Sequence, residues 1–348
     1  MAWSEPSWWY GDGPHWQAAV LRPVASVYGS VVVRRFKSGP MYRSRLPVIC
    51  IGNFTAGGTG KTPLSVAVAD IVRGLGYDPL MLSRGYGGAM DGPACVDPAV
   101  HTATDTGDEP LLLARTAPTV IAADRRAGAQ FIERTGPSNA VIIMDDGLQN
   151  PSLAKDLTIA VIDGGRGLGN GAVIPAGPLR APMPFQLQRT NAMLIMGEAS
   201  TRTREQLSDL QTLWHGQVFR ARTGAAGDTA WLRGAKVVAF AGIANPQRFF
   251  TTLEGLGARV AERIVFPDHH VFNDADAANL LAAADKHGTA LVTTEKDRVR
   301  IIGLRGALAE LRTRVKSLAI KLTFDDDDCE RLTGLITTAL QIKKSERS

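Results

Sequence analysis

"LPVICIGNFTAGGTGKTP", residues 46–63, is where the fold is decided. Its first half is an unbroken apolar run, the pattern of a strand buried on both faces of a parallel sheet. Its second half is a glycine-rich turn that opens into a helix over 61–74, with Pro63 in the first turn and glycines at the end. The turn nearly matches the phosphate-binding pattern G-x-x-x-x-G-K-[ST], with Thr55 standing where the first glycine belongs. Glycines let backbone N–H groups close around phosphate oxygens, and the helix N-terminus adds positive potential. Thr55, Ala56, Gly57, Gly58, Thr59, Gly60, Lys61 and Thr62 are therefore expected to bind a nucleotide, with Lys61 on the β/γ-phosphates and Thr62 on Mg²⁺. An accidental glycine-rich turn is the competing reading, and the strand before and helix after weigh against it.

Outward from this junction, similar apolar runs recur at 78–85, 119–123, 140–147, 157–164 and 192–197, with helical stretches between them. The pattern predicts an α/β protein: a P-loop NTPase-like parallel sheet, with ligands at the C-terminal ends of its strands. A polar stretch over 198–230 precedes further runs at 235–246, 258–270 and 289–297. The expected organisation is an N-terminal segment (1–40), a P-loop core (41–228) and a second, smaller α/β domain (229–348).

The balance of 39 Lys and Arg against 34 Asp and Glu, a net charge of +5, suits anionic small molecules or an anionic membrane better than nucleic acid. Cys50, Cys95 and Cys329 form no C-x-x-C pair, so neither a zinc site nor a disulfide framework is indicated. A reducing cytoplasm is the expected compartment, and the N-terminus does not read as a secretory signal. Four of the six tryptophans fall within the first sixteen residues, and Arg34, Arg35 and Lys37 close the segment "WQAAVLRPVASVYGSVVVRRFK". Arg22 and Pro23 interrupt it, whereas a spanning helix needs about 20 apolar residues. An amphipathic helix follows, either lying in the membrane interface or packed on the protein's own surface.

Chemistry needs acids near the phosphate loop. "AVIIMDDG" (140–147) delivers Asp145 and Asp146 at a strand end, a Walker B-like arrangement for organising metal. "TGDEP" (106–110) sets Asp108 at a loop-to-helix boundary, and "FPDHH" (266–270) sets His269 and His270 beyond a strand of the second domain. A carboxylate can take the proton of an attacking hydroxyl and a histidine can orient it, though either stretch alone reads as a helix start or a solvated loop. "SRGYGG" (83–88), "ADRR" (123–126) and "NGAVIPAGPLR" (170–180) supply Gly, Pro and Arg to a substrate cleft.

Taken in order, "GNFTAGGTGKTP", "SRGYGG", "GDEP", "DDGLQN", "IDGGRGLGNGAVIPAGPLR", "FPDHH" and "TTEKD" resemble the tetraacyldisaccharide 4'-kinase family over roughly residues 46–300. Thr55 is the form this family uses. The resemblance implies γ-phosphoryl transfer from ATP to the 4'-hydroxyl of a tetraacyldisaccharide 1-phosphate, forming lipid IVA for lipid A. It implies Thr62 and Asp145 as Mg²⁺ organisers with Asp146 nearby. It also implies Asp108 as a base paired with His269, brought together when the cleft between the domains closes. The implied partners are the lipid substrate and a membrane surface, with no nucleic acid and no obligate protein partner. The implied location is peripheral, on the cytoplasmic face of the bacterial inner membrane. The alternative from another class is a P-loop GTPase or ATPase acting as a switch or metal-insertion chaperone. "TTEKDRVR" lacks the guanine-reading N-K-x-D that would favour it.

Overall fold

Strands without a polar face need cover on both sides, and the chain provides it by alternating strands with helices. The computed structural model describes residues 5–302 and 305–346. Its strands are β1 (Val48–Asn53), β2 (Asp78–Ser83), β3 (Ala94–Cys95), β4 (Thr119–Ile121), β5 (Ala140–Asp145), β6 (Leu157–Asp163), β7 (Ala192–Met196), β8 (Gln217–Ala225), β9 (Lys236–Ala241), β10 (Arg259–Val265), β11 (Ala290–Thr294), β12 (Val315–Leu318) and β13 (Ile320–Phe324). Among the described residues they form two sheets, β13-β8-β7-β6-β1-β5-β2-β4-β3 and β10-β9-β11-β12. The smaller sheet is parallel throughout. The larger is parallel except at its two edges, where β3 pairs with β4 and β13 with β8 in antiparallel fashion.

β1 sits at the centre, paired in parallel with β5 on one side and β6 on the other. Successive residues feed opposite cores, as a period of two requires. Ile49, Ile51, Val141 and Ile143 pack under Leu64, Val68 and Val72 of the helix Lys61–Gly74. Val48, Cys50, Ile142 and Met144 pack with Ala129 and Ile132 of the helix Arg125–Thr135. The chain builds β2 to β5 on one side of β1 and β6 to β8 on the other, so β1 borders the switch point where a ligand crevice opens.

The expected boundary near 228 falls between β8 and β9, but residues 229–348 do not form one unit. β13 returns to the larger sheet with Ile320 opposite Ala225 and Phe324 opposite Ala221. The helix Asp326–Ser345 then buries Leu332, Ile336 and Leu340 in the core beneath β1. The reason is physical: β8 offers an unpaired edge, and the apolar stripe of the last helix needs a face to cover.

The N-terminal segment is a helix, Trp16–Lys37, that runs through Pro23 on its exposed side instead of breaking there. Ala25 and Gly29 are buried, and a Cβ on Gly29 would lie 3.1 Å from Pro182 Cγ. Trp16, Val20, Val24, Val27 and Val31 form a stripe turned to solvent, with Trp16 72% exposed. Trp9, one of the four N-terminal tryptophans, is not at a membrane-facing surface: it is fully buried and donates from Nε1 to the Pro175 carbonyl at 3.2 Å. Trp3, another of the four, lies outside the described residues. Among the described residues, no helix is long and apolar enough to cross a membrane.

Because Ile336 is fully buried on the larger sheet, Ile336→Ala is expected to destabilise that unit by about 2–5 kcal/mol. Urea unfolding followed by tryptophan fluorescence measures the loss; an unchanged midpoint contradicts this packing.

Candidate active site

The phosphate loop follows from the end of β1. Gly57 and Gly60 have φ of +92° and +89°, in the left-handed region where a side chain is strained. Thr55 needs no such freedom. It is buried in an antiparallel bridge with Leu179, an extended setting that suits a β-branched residue. Around it, Ala56 N donates to the Pro178 carbonyl at 2.8 Å and Arg180 Nε to the Thr55 carbonyl at 3.0 Å. The threonine is thus where the loop is stitched to residues 178–180.

The loop fits an anion on two observations. The Thr59 hydroxyl is buried with no hydrogen-bond partner among the described residues. The Glu5 carboxylate lies over Gly57, so close that a Cβ there would sit 2.0 Å from Glu5 Oε1. Glu5 is in turn held by Arg166 at 2.8 Å.

Asp145 ends β5 with Ile51 as its neighbour on β1, which sets it beside the loop. It is buried and accepts a hydrogen bond from Ser65 Oγ at 2.9 Å. Burial first, and the charge of Glu109 second, push its pKa well above the ordinary carboxylate value. A hydroxyl at Thr62 and a carboxylate at Asp145 are hard oxygen donors. They match Mg²⁺, which takes one or two protein ligands and completes its shell with water and phosphate.

Asp146 has a different occupation from the metal role expected of it. Its two oxygens accept from Arg180 Nη1 at 2.8 and 2.9 Å, and Lys61 Nζ lies 3.7 Å from Oδ1. Burial opposes its ionisation, but Lys61 and Arg180 outweigh that and hold the pKa below its usual value. Asp146 therefore aims two cations, one of them the phosphate-loop lysine.

Asp108 begins the helix Asp108–Leu113 and is 6% exposed. His269 Nδ1 lies 3.4 Å from its Oδ2, so the pair expected from the sequence is together across the two sheets. His270 instead bonds Asp276 Oδ2 at 2.8 Å and stacks on Phe266, a structural role. Burial alone would raise the Asp108 pKa, yet the His269 hydrogen bond and the charges of Arg300 and Lys296 hold it well below the carboxylate range. The hydrogen bond to Asp108 raises the pKa of His269. Among the described residues, the non-glycine residues with positive φ are Asp146 (+51°) and His269 (+59°). Backbone strain is concentrated at functional positions, and both lie here.

Sequence reasoning missed two contributors. Arg300 is buried and donates from Nε to Asp108 Oδ2 at 2.9 Å, with a second contact from Nη2 to the same oxygen. Lys296 bonds Glu109 Oε1 at 2.8 Å. Their only signal is the i, i+4 spacing of two basic residues in "TTEKDRVR", which reads equally well as a solvated helix face. Of the loops expected to line the cleft, 83–88 brings Tyr86 edge-on to His269 at 6.3 Å, 123–126 buries Arg125, and 170–180 supplies Arg180.

Because folding lowers the Asp108 pKa, its ionised form stabilises the fold above the unfolded value of about 4, and that contribution is lost as pH falls. Asp108→Asn breaks a buried pair and is expected to cost on the order of 3–5 kcal/mol at pH 7, with the gap to the native chain closing below about pH 4. Urea unfolding at pH 3 and pH 7 measures both; a gap independent of pH contradicts the ion pair.

The geometry has counterparts elsewhere. The family profile for tetraacyldisaccharide-1-P 4'-kinase matches residues 17–339. A tetraacyldisaccharide 4'-kinase of Methylorubrum extorquens is 46% identical over 322 residues, covering 92% of this chain and 95% of the relative. One from Rhodopseudomonas palustris is 47% identical over 323 residues, covering 92% of each. Among solved structures, LpxK from Aquifex aeolicus in complex with ATP shares the fold with a TM-score of 0.72 at 23% identity, over 93% of this chain and 99% of that one. With the profile and the relatives both spanning nearly its whole length, the chain belongs to the tetraacyldisaccharide 4'-kinase family.

Proposed function

We propose that this chain transfers the γ-phosphoryl group of ATP to the 4'-hydroxyl of a tetraacyldisaccharide 1-phosphate, forming lipid IVA. The observation that carries this reading is the meeting of a phosphate loop (Lys61, Thr62), a strand-end acid (Asp145) and a buried carboxylate–histidine pair (Asp108, His269) at one end of the larger sheet. Thr55 to Thr62 cradle the nucleotide phosphates through backbone N–H groups, and Lys61 counters charge on the γ-phosphate. Thr62 and Asp145 would hold Mg²⁺, which would supply positive charge to offset that of the nucleotide phosphates. Asp146 keeps Lys61 and Arg180 aimed at the phosphates. Asp108 takes the proton of the attacking hydroxyl as the new O–P bond forms and the bond to the ADP oxygen breaks.

The lipid has a place to lie. A groove of about 700 Å³ separates the helix Trp16–Lys37 from the loop that carries Val173, Ala176 and Pro182. Arg22 and Lys37 line it, suiting an anionic amphiphile, and the loop continues to Arg180 beside Asp146. The stripe Trp16, Val20, Val24, Val27 and Val31 points away from the protein, and Arg34, Arg35 and Lys37 end the same helix. Apolar area plus basic charge is what an anionic bilayer surface binds. The chain therefore works as a peripheral protein on the cytoplasmic face of the inner membrane.

Purified protein with labelled ATP, Mg²⁺ and tetraacyldisaccharide 1-phosphate is expected to label the lipid; no label on the lipid sinks the reading. Lys61→Ala and Asp108→Ala are each expected to lower transfer by at least about 100-fold, the scale of a lost charge stabiliser or general base. Near-normal transfer by either folded variant would remove that residue from its role. Replacing Val20, Val24 and Val27 with Ser is expected to lower co-sedimentation with anionic vesicles; undiminished binding would assign the membrane contact to another surface.

A further inference from the structure

The "TTEKD" stretch (293–297) opens a helix that carries ion pairs between the two sheets. The helix Glu295–Arg300 starts at the C-terminal end of β11, with the Thr294 side chain accepting from Asp297 N at 3.1 Å and donating to Asp297 Oδ2 at 2.7 Å. That turn fixes Asp297, which is fully buried, and Asp297 Oδ1 accepts from Arg300 Nη1 at 3.1 Å. The same Nη1 donates to the Gly242 carbonyl at 2.6 Å. On the other side of the guanidinium, Nε and Nη2 both hold Asp108 Oδ2, and Nη2 lies 3.3 Å from His269 Nδ1. A guanidinium has five N–H donors, and these are five contacts. One turn earlier, Lys296 ties Glu109 on the helix that Asp108 begins.

We propose that Arg300 is a positioning residue for phosphoryl transfer: from the smaller sheet, its guanidinium sets the Asp108 carboxylate and the His269 ring in working orientation on the larger one. The role rests on Asp108 being the proton acceptor. Arg300 occupies Oδ2 with two donors while Oδ1 accepts from Glu109 N at 3.0 Å, so the carboxylate plane is fixed by three bonds. Its Nη2 also lies 3.3 Å from His269 Nδ1, the ring nitrogen that lies 3.4 Å from Asp108 Oδ2, so the guanidinium sits against the ring edge that faces the carboxylate. Asp108 and His269 are thereby arranged through the arginine, rather than by a direct bond alone.

The charged groups facing Asp108 are Arg300 and Lys296 from this helix, His269 from the loop after β10, and Glu109 on its own helix. Removing Arg300 takes away a cation in direct contact and moves Asp108 protonation to higher pH. Lysine keeps the charge but cannot present two parallel donors to one carboxylate.

The test is the pH profile of kcat/KM for lipid phosphorylation by native enzyme, Arg300→Gln and Arg300→Lys, with ATP and Mg²⁺ present. Arg300→Gln is expected to lower kcat roughly 100-fold, shift the acidic limb upward by about one pH unit and leave KM for ATP within about twofold. Arg300→Lys is expected to restore the acidic limb and leave kcat about tenfold low. If Arg300→Gln does not fold, Arg300→Lys decides: a tenfold fall in kcat at unchanged KM supports the role, and native kcat overturns it. Folded variants whose pH profile and kcat match the native enzyme overturn this role alone. A native enzyme that does not phosphorylate the disaccharide overturns the kinase reading, and this role with it.

Discussion

Parallel pairing of β1 with β5 and β6 is the constraint on which the rest depends. A parallel strand in mid-sheet has no solvent face, so its residues must be apolar on both sides and helices must cover both. The same pairing points these three strands the same way, which brings the loops after β1 and β5 to one edge of the sheet. Lys61, Thr62, Asp145 and Asp146 are neighbours for that reason, although about 80 residues separate the two stretches.

The polar site sits on this apolar base as a set of paired charges. Lys61 and Arg180 meet Asp146, Lys296 meets Glu109, and Arg300 meets Asp108 and Asp297. Buried charges of one sign would be costly, and leaving one unpaired would cost several kcal/mol. Alternation of sign holds the pKa values of Asp108, Glu109 and Asp146 below the usual carboxylate value at low exposure. Burial wins at Asp297, whose pKa is raised even beside Arg300, and at Asp145, whose hydrogen bond comes from the neutral Ser65. Asp145, which makes no ion pair among the described residues, lies beside the phosphate loop, where Mg²⁺ is proposed.

The smaller sheet contributes His269 and Arg300 by the same rule, from the loop after β10 and the helix after β11. It faces the larger sheet through the helices Glu295–Arg300 and Asp108–Leu113, where ion pairs stand beside the packing of Val299 on the cluster that holds Leu111. The N-terminal helix uses a third strategy. Its small residues Ala25 and Gly29 allow close approach to the loop at 173–182, and its valines remain outside.

The elements of the larger sheet were legible in the sequence because unbroken apolar runs and a glycine-rich turn are local signals. Each central strand, and the helix Lys61–Gly74, lies where its run predicts. The acids were legible for the same reason, as strand-end and helix-start residues. What local pattern cannot carry is partnership. β13 and the last helix belong to the larger sheet because β8 has an open edge, and no run within 229–348 announces a partner a hundred residues earlier. Trp9 is core because Pro175 and its loop enclose it, while Trp16, seven residues on, is exposed. Thr55 looked like a lost glycine until its bridge to Leu179 showed an extended backbone that needs none. Arg300 is one basic residue among many until folding sets it between Asp108 and Asp297. By itself, then, the sequence determined the elements, the phosphate loop and the acids, since these depend on neighbours along the chain. The tertiary structure alone decided which charges pair and which edge the C-terminus joins, since those depend on neighbours in space.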